Sequence, residues 1–281
     1  MNGAIAPAAT VIVPAHDEAE FIAPCLAALL ASDIAAPVEV IVVANGCTDD
    51  TARIAKGFHA PAETRNWRLQ VLEREQGDKL RALQAGDDAA AAPVRIYLDA
   101  DTRVSAGLLG ELIAALDSPG PRYASGRPRV APARSPATRA YARFWQRLPF
   151  FRAPAPGFGI YAVNAAGRAR WDRWPAIISD DTFARMNFAP EERVAVGAPY
   201  DWPMVEGFGP LVRVRRRQDA GVREIAQRFP DLAKNADPSA RSAKLRAALH
   251  DPIGFAVYAG VALCVRLPLG RGGWARGRGP A

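Results

Sequence analysis

Four short, nearly continuous apolar runs punctuate the first hundred positions, at 10–13, 38–43, 68–72 and 94–98. Their length and their Val, Ile and Leu content suit strands covered on both faces of a parallel sheet. Stretches at 18–31, 49–57, 78–91 and 105–117 carry apolar residues at helical spacing. Strands alternating with helices require right-handed crossovers, and so predict a doubly wound α/β sheet. Ligands of such sheets bind outside the carboxyl ends of the strands. His16 to Glu18, Asn45 to Asp49 and Asp99 to Asp101 all fall at those ends.

The rhythm breaks after Asp117, where Pro119, Pro121, Pro128, Pro132 and Pro136 mark turns. Residues 137–147 then read as a helix carrying Tyr141, Phe144 and Trp145. A Gly/Pro turn follows from Pro154 to Gly159, then a short strand at Ile160 to Val163 and a helix containing Arg168, Arg170 and Trp171. Arg213, Arg215, Arg216 and Arg217 lie on a run that reads as strand, and would clamp a diphosphate or meet acidic lipid. Pro252 to Val265 is an apolar stretch of 14 residues closed by Arg266. A membrane span needs about 20 apolar residues, so a core or interfacial helix is expected.

Composition narrows the class. The 281 residues are 49% hydrophobic and 23% charged, ordinary for a soluble globular chain. Cys25, Cys47 and Cys264 are far apart and lack zinc-ligand spacing, which suits a reducing cytoplasm. The first residues lack the basic and apolar layout of a signal peptide. Net charge is +7, but unevenly spread: residues 211–281 hold 14 Lys and Arg against 5 Asp and Glu, leaving 22 against 24 in residues 1–210. The α/β half is therefore not basic, which argues against nucleic acid as a partner. The basic tail, with Arg266, Arg271, Arg276, Arg278 and Trp274, points instead to an anionic membrane surface, with peripheral attachment to its cytoplasmic face.

The candidate chemistry centres on Asp99-Ala100-Asp101, directly after the run Val94 to Leu98. In extended backbone residues i and i+2 project to the same side, so both carboxylates would face one ligand. Such hard oxygen donors suit Mg²⁺ or Mn²⁺ that also carries substrate phosphates. A lone D-x-D is common, but three segments precede this one. They are Thr10 to Glu18 (TVIVPAHDE), Val38 to Thr51 (VEVIVVANGCTDDT) and Gly77 to Gly86 (GDKLRALQAG). A second acidic pair, Asp180-Asp181, opens a helical pattern after Ala176-Ile177-Ile178. Taken alone, each acidic pair also suits a helix N-cap, Glu18 a first-turn acid and Lys79 an exposed surface position. A cation at a helix start is locally unfavourable, however, which hints at an anion near Lys79.

In this order the segments resemble the family 2 glycosyltransferases, from about Thr10 to about Gln218. The resemblance implies a GT-A fold with a nucleotide-sugar-binding half over 8–118, an acceptor-binding half over 119–235 and a helical extension over 236–281. It implies an inverting, metal-dependent transfer from a nucleoside diphosphate sugar to a hydroxyl of a sugar, a lipid-linked sugar or a small molecule. Asp101 would touch the metal, and Asp99 the ribose or the metal's water shell. Pro14 and Ala15 would approach the base and ribose through their backbone, and Glu18 would accept a ribose hydroxyl. Asn45 stands where the family usually has an acid, and would read the base with an amide that both donates and accepts. Lys79 would meet diphosphate or ribose, Asp181 would be the general base and Asp180 its support. The Q-x-x-R-W signature of processive synthases is absent, which implies a single transfer. Two alternatives stand beside this reading: a nucleotidyltransferase, whose Gly-rich basic loop after the first strand is missing here, and a catalytically idle nucleotide-sugar-binding protein on the same fold.

Overall fold

The structure, a computed structural model, describes residues 6–236 and 241–267. The first half is the alternation expected: β1 (Ala9–Ala15), α1 (Ile22–Leu30), β2 (Val38–Asn45), α2 (Thr51–Lys56), α3 (His59–Thr64), β3 (Arg68–Arg74), α4 (Lys79–Ala89) and β4 (Arg95–Leu98). The second half adds β5 (Arg103–Val104), α5 (Leu108–Ala115), β6 (Tyr123–Val130), α6 (Pro136–Trp145), β7 (Ile160–Val163), α7 (Ala165–Arg168) and α8 (Asp180–Met186). It closes with β8 (Arg193–Trp202), α9 (Phe208–Arg228), α10 (Arg241–His250) and α11 (Pro252–Arg266).

One eight-stranded sheet runs in the order β3-β2-β1-β4-β7-β6-β8-β5. Strands β3, β2, β1 and β4 are parallel, whereas β7 joins β4 and β6 antiparallel. Chain order reverses around β1, which has β2 on one side and β4 on the other. That is the switch point where a crevice opens at the carboxyl ends of the strands.

Both sheet faces are covered, as the unbroken apolar runs require. Val11 and Val13 join Leu26 and Leu109 in one cluster, while Ile12, between them, faces Leu83 in another. Each such fully buried aliphatic side chain contributes about 1.5–3 kcal/mol. The sheet therefore supplies the stability, and the strand-end loops are free to carry polar residues. Strand β1 does not stop at Pro14 but pairs through Ala15 with Ala44.

The arginine run read as strand is instead helical, within α9. Arg215 pairs with Asp219 and lies over the Tyr258 ring, and Arg216 donates to the Cys264 carbonyl. These side chains fasten α9 to α11. Helix α11 packs against α6 and α9, adding Val261 to a cluster with Tyr141, Phe144 and Leu211. It thus docks on the fold by one face, while Ile253 and Leu263 are exposed. No described helix is long and apolar enough to cross a membrane. Arg271, Trp274, Arg276 and Arg278 lie outside the described residues.

Candidate active site

The ends of β1 and β2 are tied together by a buried side chain. Asn45 donates from Nδ2 to the Ala15 carbonyl (2.7 Å) and accepts at Oδ1 from the Asp78 N–H (2.9 Å). Its amide is thereby used within the protein, and organises the loops instead of offering itself to a base. The next residue, Gly46, has φ +63°, and a Cβ there would stand 2.4 Å from the Gly77 nitrogen. Only glycine permits this crossing of two loops without a shift. Asp78 then caps α4 by accepting from the Leu80 and Arg81 N–H groups, which fixes Lys79 in the first turn.

Asp99 and Asp101 belong to a turn, not to extended strand. The Thr102 N–H donates to the Asp99 carbonyl (3.0 Å), and the Asp99 N–H to the Gly159 carbonyl (2.8 Å). Strand alternation therefore does not aim the two carboxylates; the turn does. Glu18 comes to the same end of the sheet, but it precedes α1 and is not in its first turn. Burial first, then the charges of Asp101, Asp99 and Glu18, push the Cys25 thiol well above its ordinary pKa. All three carboxylates thus lie within electrostatic range of Cys25.

Lys79 joins the two acidic pairs. Its Nζ lies 2.9 Å from Asp99 Oδ1 and 3.0 Å from Asp180 Oδ1. The anions expected near this helix-start cation are thus the protein's own. Burial opposes the charge on Lys79, but Asp180, Asp99 and Asp181 outweigh it and raise its pKa. The Asp180 side chain is only 7% exposed, and both its oxygens are engaged: Oδ1 by Lys79, Oδ2 by the Tyr161 hydroxyl at 3.1 Å. Asp181 is held at one oxygen alone. Its Oδ1 accepts from Ser179 Oγ (2.8 Å) and from the Thr182 N–H (2.7 Å), so Oδ2 is left for a ligand. Burial, then the charge of Asp180, raises the Asp181 carboxyl above the usual carboxylate range, against the pull of Lys79 and these hydrogen bonds.

Pro14 and Ala15 are buried at the end of β1, where the Ala15 carbonyl is taken by Asn45. A different acidic group, Asp17, Cys47 and Asp49, brings its ligand atoms within 4.8 Å of one another. Its oxygens already serve the loops, however. Asp17 Oδ1 accepts from the Thr48 and Asp49 N–H groups, and Asp49 from Ala19 and Thr51. Asp49 thus holds Thr51, the first residue of α2, while Asp50 occupies the N-cap position. Mg²⁺ and Mn²⁺ take one or two carboxylates and fill their other positions with phosphate and water, so a pair such as Asp99 and Asp101 offers a suitable number of donors.

Sequence reasoning missed Tyr161, Arg185 and the loop between α6 and β7. Tyr161 sits on β7 beside β4, and burial, then Asp180, raises its pKa, keeping it a hydrogen-bond donor. Arg185, buried one turn after Asp181, donates to the Ala155 carbonyl (3.0 Å) and to that of Pro154 (3.3 Å). At Gly157 (φ +83°) a Cβ would collide with the Tyr123 hydroxyl. The glycine and proline content of 153–159 marked a turn, but nothing in it named the helix to which the turn is tied.

Comparison with known proteins agrees with this geometry. The family model described as Glycosyl transferase family 2 matches residues 10–174. An uncharacterised glycosyltransferase of Mycobacterium tuberculosis is 35% identical over 122 residues, 43% of this chain and 49% of that protein. Its Mycobacterium bovis counterpart shows the same figures. The chain spans about half the length of these curated relatives. Among solved structures, a mannosyltransferase of Pyrobaculum calidifontis in complex with GDP-Man and Mn²⁺ superposes with a TM-score of 0.58 at 20% identity, covering 94% of this chain and 77% of that one. TarS of Staphylococcus aureus in complex with UDP gives 0.54 at 16% identity, covering 93% and 75%. Likeness at this level of identity concerns the fold, which is the GT-A arrangement.

Proposed function

Because this chain belongs to glycosyl transferase family 2, we propose that it transfers one sugar from a nucleoside diphosphate sugar to an acceptor hydroxyl, with inversion. The observation that carries the reading is the Lys79 bridge, which brings Asp99, at the strand end, and Asp180, at the start of α8, to one side chain. In this reading Pro14, Ala15 and Glu18 line the nucleotide, with Asn45 shaping their loops. Asp101 and Asp99 would hold Mg²⁺ or Mn²⁺, which when bound supplies Lewis-acid stabilisation of the leaving diphosphate.

Asp181 is the general base, because a hydroxyl nucleophile must lose its proton as it attacks the anomeric carbon. The free Oδ2 is the atom that receives the proton. Asp180, with both oxygens engaged, orients Lys79 and raises the basicity of its neighbour. Direct displacement by the acceptor oxygen then inverts the anomeric centre. The Mn²⁺ and GDP-Man of the archaeal mannosyltransferase complex support the donor class without fixing the base. An anionic membrane surface as a further partner is supported by the exposed apolar residues Leu249, Ile253 and Leu263 in the basic C-terminal quarter.

The test is a thermal-shift panel of nucleoside diphosphates with and without Mn²⁺, run on the wild-type chain and on Asp101→Ala. One nucleotide is expected to stabilise the wild type only with the ion, and Asp101→Ala should lose that shift while keeping its unliganded melting temperature. A full nucleotide shift in EDTA, for either protein, would remove the metal from the reading.

A further inference from the structure

A cleft of about 770 Å³ lies beside the candidate site, and three arginines are among its lining residues. Arg127 of β6, Arg143 of α6 and Arg147 just after it face apolar walls that include Phe151, Pro154 and Pro156. No acid is among its lining residues, and the one carboxylate that reaches these arginines from outside is Asp251. Arg143 meets it through two hydrogen bonds, at 2.8 and 3.1 Å, and Arg147 approaches it at 3.7 Å. Arg127 has no hydrogen bond or ion pair among the described residues, and its side chain is exposed. Three guanidinium groups against one carboxylate leave two positive charges at the cleft.

The cleft is separated from the two acidic pairs by a single loop. Ala153 to Pro156 form part of its wall. The same loop gives its Pro154 and Ala155 carbonyls to Arg185, on the helix that carries Asp181, and its Gly159 carbonyl to the Asp99 N–H. A molecule seated in the cleft therefore rests against the segment that holds the Asp99 amide and Arg185, one turn after Asp181. Its volume falls within the range of small-molecule sites, about 300–1,000 Å³.

We infer that this cleft binds the acceptor, and that the acceptor carries a phosphate-class anion. The guanidinium fork matches phosphate oxygens two at a time, and a phosphate monoester carries about two negative charges at neutral pH, which balances the excess found here. The apolar wall of Phe151, Pro154 and Pro156 takes the body of the acceptor. This assignment names the acceptor class for the proposed transfer and rests on that reading. Phosphate on a lipid and phosphate on a soluble sugar offer the same chemistry, so the source is left to the experiment.

The experiment is a binding titration of the full chain with dodecyl phosphate below its micellar concentration, followed by the fluorescence of the nearby tryptophans. Dodecyl maltoside is the uncharged control and glucose 6-phosphate the soluble competitor. Dodecyl phosphate is expected to bind, the maltoside far more weakly. Arg127→Glu, which breaks no internal contact, should weaken the phosphate by roughly tenfold or more, the size of one charge-assisted hydrogen bond. Arg53→Glu, an exposed charge change on α2 outside the cleft, should not. Displacement by glucose 6-phosphate at comparable concentration would mean a soluble phosphate acceptor, and its failure to displace a lipid phosphate. Equal binding of phosphate and maltoside, or an unchanged titration in Arg127→Glu, would overturn the inference. A separate titration with nucleoside diphosphate keeps the two readings apart: if no nucleotide binds the wild type, the glycosyl transfer falls, whereas intact nucleotide binding with a silent Arg127→Glu removes the cleft assignment alone.

Discussion

Two aspartate pairs meet at the ammonium group of one lysine, through Asp99 and Asp180, and these two residues differ in exposure. Asp99 and Asp101 are presented by a turn after β4, with the Asp99 side chain 35% exposed. Asp180 and Asp181 open α8, Asp180 buried at 7% exposed and Asp181 half-buried. Solvent access leaves the first pair within reach of a cation and its phosphates in the proposed reading. Desolvation and mutual repulsion push the second pair's Asp181 upward, toward the basicity that proton removal needs. In the proposed reading identical residues would divide the work by environment, as carboxylates in other sites do. Within the second pair the same logic applies: Asp180 spends both oxygens on Lys79 and Tyr161, and Asp181 spends one.

The sharpest way to break this division is to neutralise each aspartate of the second pair in turn. Asp181→Asn keeps the shape and removes the proton acceptor, so transfer should fall by about 10²–10⁴-fold, the range for a lost general base. Nucleoside diphosphate binding, measured by calorimetry, should be kept. Asp180→Asn should lower the melting temperature more and the rate less, because it leaves Lys79 with one anion. If the rates come out reversed, Asp180 is the base and the free oxygen of Asp181 is incidental.

Much of this division was legible before any coordinates. The strand ends that carry Asp99 and Asn45 were readable because β1, β2 and β4 are buried on both faces, so their apolar runs are continuous. Beyond Asp117 that signal fades for physical reasons. Strand β6 contains Gly126, Arg127, Pro128 and Arg129, and β8 contains Gly197 and Pro199, so neither has an apolar run. The segment Leu211 to Arg215 alternates apolar and basic residues like a strand. It is helical because Arg215 lays its stem over Tyr258 and keeps its charge on Asp219, joining the packed face despite its charge. The sequence singles out Asn45 at a strand end, and the packed loops add that Asp78 and Ala15 use its amide.

A smaller effect is expected when the bridge itself is cut. Lys79→Met removes the cation that holds the Asp181 carboxyl down, so that carboxyl should rise further. A base works only when deprotonated, so the acid limb of the transfer rate should move to higher pH. Asp180 also loses a buried partner, and the chain should lose about 1–3 kcal/mol of stability in denaturant unfolding. An acid limb that stays in place, with the rate lowered equally at every pH, would mean that Lys79 serves the donor alone and does not couple the pairs.

The smallest effect separates holding from reacting. Tyr161→Phe retains the ring that lies between Tyr97 and Tyr123, at centroid distances of 4.9 and 5.7 Å, so the packing under the site is kept. What goes is one hydroxyl, the donor to Asp180 Oδ2. Asp180 still has Lys79 at 3.0 Å, so its ion pair and its repulsion of Asp181 should persist. The cost should be that of a single buried hydrogen bond, about 0.5–1.5 kcal/mol, or a melting temperature lower by about 2–4 °C. The acid limb should then stay where the wild type has it, in contrast to Lys79→Met, and transfer should fall less than about tenfold because no proton moves through this oxygen. A loss approaching that of Asp181→Asn would instead make Asp180, poised by Tyr161, the group on which the reaction depends.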